Sequence, residues 1–143
     1  MTRNQMVVEE WLRKDRNPAP AAKLMGFQLT DFEDGVARIE MDADVRHHNP
    51  MGVIHGGVLC DLADAAMGMA FAGGLDEGES FVTLQLSATY LRSILATKLI
   101  ATGRALHKGQ SSGHAEAEVT DADGRLIARF SCTCLVLREA WAS

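Results

Sequence analysis

The sequence predicts an α+β chain in which an antiparallel sheet of five or six strands wraps one long central helix. Three observations lead there. Residues 57–72 (GVLCDLADAAMGMAFA) are apolar or small on nearly every side, and a helix of that kind must be buried nearly all round. Two alternating runs meeting at Asp34-Gly35 precede it, and four more alternating runs follow it.

Taken in order, Met6, Val7, Val8, Trp11 and Leu12 fall at helical spacing within residues 4–14 and make a short amphipathic helix. Asn17-Pro18-Ala19-Pro20 follows as a proline-bounded loop. Residues 23–28 are expected to be a link that turns at Gly26. Phe27-Gln28-Leu29 opens a strand, Asp34-Gly35 turns it, and residues 36–41 alternate apolar with polar as the return strand. Residues 45–57 (VRHHNPMGVIHGG) hold Asn49-Pro50, Gly52 and Gly56-Gly57, so this stretch is a loop. The central helix then runs to Gly73-Gly74. Strands are expected over 80–91, 98–107, 112–120 and 125–138, with a turn at residues 121–124, and four strands in succession suggest a meander.

The 143 residues fit one domain, 1–143, with residues 1–20 as an N-terminal helix and loop. No window holds the roughly 18 consecutive apolar residues of a membrane span, and the first twenty residues have no apolar leader segment. A cytoplasmic protein is the expectation. A net charge of -5 disfavours nucleic acid as a partner. Cys60, Cys132 and Cys134 read as packed thiols, the last two on one face of a strand, with no C-x-x-C pair. His47, His48 and His55 fit no metal-ligand spacing.

The chemistry concentrates at residues 47–64. Gly56 and Gly57 open a helix whose first N–H groups lack intrahelical partners. Those donors, with the positive end of the helix dipole, suit an oxygen gaining negative charge. Asp64 stands about two turns into an otherwise apolar helix, where a carboxylate is costly unless solvated, paired or functional. Asp61, one turn earlier, is the rival, although the first-turn position alone accounts for an acid there. Asn49-Pro50 could be only a turn, Met67 and Met69 only core, and Arg92, Lys108 and Arg138 only surface charge.

Asn49, Gly52, the run His55-Gly56-Gly57, Asp64 on the helix that follows, Thr83, Ala88-Thr89-Tyr90-Leu91 and Lys108-Gly109-Gln110-Ser111 together give a pattern. In it the chain resembles the phenylacetate-degradation type of hotdog thioesterase over about residues 45–137. The resemblance implies the hotdog fold and hydrolysis of acyl-CoA with an aryl, arylacetyl or medium-chain acyl group, without metal or cofactor. It implies that the Gly56 N–H and the Asn49 amide polarise the thioester carbonyl and that His55 orients the loop. Asp64 attacks the carbonyl or activates a water, and Thr83 orients the water or the carboxylate. Gly57, Arg92, Lys108, Gly109, Gln110 and Ser111 are then candidates for holding the substrate, the cations through the CoA phosphates. It also implies a homodimer or homotetramer with Asn49, His55 and Gly56 from one subunit and Asp64 and Thr83 from its neighbour. The rivals are a non-catalytic acyl-CoA-binding module and an acyl-thioester hydratase or dehydratase.

Overall fold

The computed structural model describes residues 1–14 and 19–138. Helix α1 (Arg3–Leu12) begins at Thr2, whose hydroxyl accepts the Gln5 N–H while the Gln5 side chain accepts the Thr2 N–H, a reciprocal capping box. It buries Val8 and Trp11. The Gln28 amide donates to the Trp11 carbonyl and ties the helix to the start of the sheet. Of the proposed loop at residues 17–20, Asn17 and Pro18 lie outside the described residues.

The expected link over 23–28 is corrected. Helix α2 (Pro20–Met25) occupies its first half, because Pro20 supplies a helical φ in the first turn and Gly26 ends the helix in the left-handed region at φ 78°. At six residues, with only Ala22 buried, it is too short for periodicity to announce it.

Strands β1 (Gln28–Glu33) and β2 (Val36–Ala43) form the expected hairpin. Asp34 and Gly35 both have positive φ, 50° and 74°, which a tight turn matched to strand twist requires. Helix α3 (Gly56–Ala72) follows the 45–55 loop. Then come β3 (Glu79–Tyr90), β4 (Thr97–Lys108), β5 (Ser112–Thr120) and β6 (Leu126–Arg138). The result is one six-stranded antiparallel sheet in the order β1-β2-β4-β5-β6-β3 with one long helix packed on it.

The four-strand meander is therefore corrected too. Only β4, β5 and β6 run as a meander. β3 crosses to the far edge and pairs with β6, Glu79 opposite Arg138 and Tyr90 opposite Ala128, while β2 takes the place beside β4. Alternation reports that a segment is a strand, not which strand it pairs with.

α3 lies chiefly over β4, β2 and β5. Leu59, Leu62, Ala63, Ala66, Met67, Ala70 and Phe71 are buried against Ile39, Met41, Leu99, Ala101 and Val119. A fully buried leucine such as Leu62 contributes roughly 1.5–3 kcal/mol. The backbones approach closely at Gly103 of β4, where a Cβ would fall 2.4 Å from the Ala66 carbonyl oxygen. Cys132 and Cys134 are buried with thiols 3.8 Å apart. The helix is not enclosed on all sides, as its composition suggested. Gly57 and Asp61 are exposed and Cys60, Asp64 and Ala65 half-buried, a stripe that faces the β3 edge. Among the described residues no helix is long and apolar enough to cross a membrane.

Candidate active site

Two clusters at α3 hold the candidate residues. The first is built by the loop before the helix. Asp44 accepts the Arg46 N–H and pairs with its guanidinium at 2.9 Å, which holds the Asp44 carboxyl down to about 2. The His48 ring meets the Leu95 carbonyl at 2.7 Å, and the Ile54 N–H donates to the Ile94 carbonyl, so the loop is fastened to the chain leaving β3. Asn49 folds the turn. Its Oδ1 accepts from Met51 N–H at 2.9 Å and Val53 N–H at 3.3 Å, which fixes the amide and leaves Nδ2 as its remaining donor.

His55 is the N-cap of α3, and its Nδ1 accepts the Gly57 N–H at 2.8 Å. Because Nδ1 accepts, the neutral ring carries its proton on Nε2. The Val58 N–H turns back to the His55 carbonyl. The Gly56 N–H has no acceptor among the described residues. The Tyr90 hydroxyl donates to the Gly56 carbonyl at 2.9 Å and lies 3.1 Å from the Cys60 thiol.

The second cluster lies two turns on. The Thr83 hydroxyl donates to Asp64 Oδ1 at 3.1 Å. A β-bulge arranges this: register shifts between Thr83 and Gln85, so Thr83 faces Cys134, Leu86 faces Cys132, and Leu84 is the extra residue between them. Cys60, Asp61, Asp64, Thr83, Leu84, Gln85 and Leu86 line an open cleft of about 430 Å³. Burial, then the negative charge of Asp64, push the Asp61 carboxyl above its ordinary value.

The predicted residues thus divide into groups. Asp64 and Thr83 meet in the cleft. Asn49, His55, Gly56 and Gly57 gather at the start of α3. Eight residues at about 1.5 Å rise separate Gly56 from Asp64 by about 12 Å, too far for both to engage one carbonyl carbon and its oxygen within a single chain. Arg92 follows β3, exposed, with its N–H on the Ile127 carbonyl. Lys108 is at the other end of β3, 2.9 Å from Glu79 and 3.7 Å from Asp76. Arg138 pairs with the same Glu79 and donates to the Gln110 carbonyl. Gly109 and Ser111 close the β4–β5 turn and join it to β6, through Gly109 N–H to Ser112 O and Val136 N–H to Ser111 O. The three cations are therefore not one patch: two of them neutralise Glu79. Among the described residues no three His, Cys, Asp or Glu side chains gather as a metal site.

Sequence reasoning missed Gln85 and the hydroxyl of Tyr90 as parts of these clusters. Tyr90 is the one tyrosine of the chain and ends an alternating strand, which was the available signal.

A six-stranded antiparallel sheet packed on one long central helix is the architecture of the hotdog thioesterases. The thioesterase superfamily pattern matches residues 51–128, and the chain belongs to that family. It is similar to a 1,4-dihydroxy-2-naphthoyl-CoA hydrolase of Listeria monocytogenes, 30% identical over 80% of this chain and 94% of that protein. It is also similar to the proofreading thioesterase EntH of Klebsiella pneumoniae, 36% identical over 77% of each chain. The fold matches the PaaI protein of the Escherichia coli phenylacetic acid degradation operon with TM-score 0.80, at 22% identity over 93% of this chain and 95% of that one.

Proposed function

We propose that the chain hydrolyses acyl-CoA thioesters to the free acid and CoA, in a site shared by two copies. The supporting observation is the separation of two half-sites on one helix: the Gly56 N–H, without an acceptor among the described residues, at its start, and the Asp64–Thr83 pair about 12 Å further along. β3 ends the sheet with one side unpaired, and Leu84 near its middle is 59% exposed. An edge of that kind pairs readily with another copy of itself. A twofold axis through the middle of β3 sets its Glu79 end beside the Tyr90 end of the second copy. The donor-rich helix start of one copy then approaches the cleft of the other. A homodimer, or a pair of dimers, carries its sites at this interface.

In that site the Gly56 N–H and Asn49 Nδ2 donate to the thioester oxygen, and His55, holding the Gly57 N–H, keeps the turn in place. Asp64 follows one of two routes. It adds to the carbonyl, forming an acyl anhydride and releasing CoA thiolate, and water then cleaves the anhydride. Alternatively it takes a proton from water whose oxygen adds to the carbonyl; the tetrahedral oxyanion then collapses, and the expelled thiolate receives that proton. Thr83 holds the carboxylate for either route. Leu84 and Leu86 suit an aryl, arylacetyl or medium-chain acyl group. Arg92 serves the CoA phosphates, with the Lys108–Ser111 turn supplying backbone and side-chain donors from the neighbouring copy.

Subunit mixing tests the proposal. Asp64→Asn removes the reacting carboxylate. Asn49→Asp keeps the Oδ1 acceptor of the turn and removes the Nδ2 donor. Each variant alone is expected to release little thiol from a panel of CoA esters. Refolded together, they recover roughly a quarter of wild-type activity, since half of random dimers are mixed and each of those holds one intact site. No recovery, with each variant folded and dimeric, refutes the shared site. No thiol release by the wild type from any ester refutes the hydrolase and favours the binding module.

A further inference from the structure

We infer that Tyr90 is a positioning residue that locks the first turn of α3 so that the Gly56 N–H is the donor left to face the substrate. The inference rests, for its catalytic consequence, on the hydrolase reading above. Three contacts converge on this turn. The His55 ring takes the Gly57 N–H at 2.8 Å. The Tyr90 hydroxyl takes the Gly56 carbonyl at 2.9 Å. The hydroxyl end of the Tyr90 ring stands against the Gly56 Cα, so near that a Cβ there would fall 2.9 Å from Tyr90 Cζ. The Gly56–Gly57 peptide is thus held at both its carbonyl and its N–H, and the Tyr90 ring stands against the Gly56 Cα whose N–H is left without an acceptor among the described residues. Phe130 supports the ring edge-on, its centroid 6.2 Å away at 86°. Burial, then the nearby Cys60 thiol, push the Tyr90 hydroxyl up to about 12, so it remains a protonated donor through neutral pH. A side chain at the first glycine of His-Gly-Gly would therefore force the Tyr90 ring to shift.

Tyr90→Phe keeps the ring and removes the hydroxyl. Two readouts follow, both on the full chain. Hydrogen exchange is expected to accelerate several-fold at the Gly57 and Val58 amides while β4 and β5 keep their protection. In thiol-release kinetics kcat is expected to fall about 10-fold, less than loss of a whole oxyanion donor, with KM within about twofold. Unchanged exchange at the two amides overturns the inference. So does an active Phe variant with wild-type kcat, or one altered only in KM. If the wild type releases no thiol, the hydrolase reading fails, and the exchange measurement alone still decides whether Tyr90 locks the turn.

Discussion

The two flanks of α3 are made of the same helix and treated oppositely. On one, Leu62, Ala66 and Ala70 are fully buried against the sheet, and at Gly103 backbone meets backbone with no side chain between. On the other, Cys60, Asp61 and Asp64 look across an open cleft to a strand that is itself mostly exposed. The closed flank fixes the helix. The open one uses that rigidity to hold a carboxylate and the Gly56 N–H in fixed places, which a mobile segment could not do. Stability and chemistry are therefore expected to separate by flank.

The largest expected effect is on the open side. Asp64→Asn should lower kcat for thiol release by about 10²–10⁴-fold, the range of a positioned base, with the urea midpoint close to wild type. A large loss of stability in this variant would erase the distinction between flanks. Next comes Leu62→Ala on the closed side, which should cost about 2–5 kcal/mol in urea unfolding because the site is walled by sheet and cannot collapse. Gly103→Ala is expected to cost about 1–3 kcal/mol, since the added methyl meets the Ala66 carbonyl and the helix must lift. A neutral result there would show that the contact yields.

The smallest effect is on pH dependence, away from both flanks. Burial pushes the Asp121 carboxyl up, but the Arg125 amide, the Arg125 guanidinium and the Asp123 amide outweigh it and hold the group below 3.8. The Asp76 amide and then Lys108 likewise hold Glu79 below 4.5. A folded value lower than the unfolded one means stability present above the unfolded value and lost as pH falls through the folded value. The urea midpoint should therefore drop on acidification below about pH 5, and Asp121→Asn should flatten that decline. An unchanged slope in the variant would remove Asp121 as a cause.

What the sequence revealed follows the range of the interactions. α3, the Asp34-Gly35 hairpin and the 121–124 turn are written in adjacent residues, and the sequence announces them. Asp64 stood out because it interrupts an apolar helix, and Thr83 because of the family pattern. α2 escaped because six residues carry too little periodicity. The place of β3 escaped because pairing with β6 depends on residues some fifty positions later, as Thr83 opposite Cys134 shows. The ion pairs that occupy Lys108 and Arg138 both end on Glu79, distant in the chain, so a turn rich in donors looked freer than it is. Tyr90 stood out as the one tyrosine at a strand end, but its contact with Gly56 spans 34 positions, so the sequence did not show what its hydroxyl meets.

The crossing of β3 to the far side of β6 also has a consequence in time. As the chain is synthesised, β3 emerges long before its partner: Glu79 waits for Arg138, 59 residues later, before their ion pair can form. β2 likewise waits for β4 across the whole of α3 and β3. Such distant pairings place folding toward the slow, millisecond-to-second range, and until the last strand is complete β3 is a twelve-residue ribbon with both sides unsatisfied. A nascent chain cut short before β6 would keep α3 and β3 and lose the strand that joins β3 to the rest of the sheet.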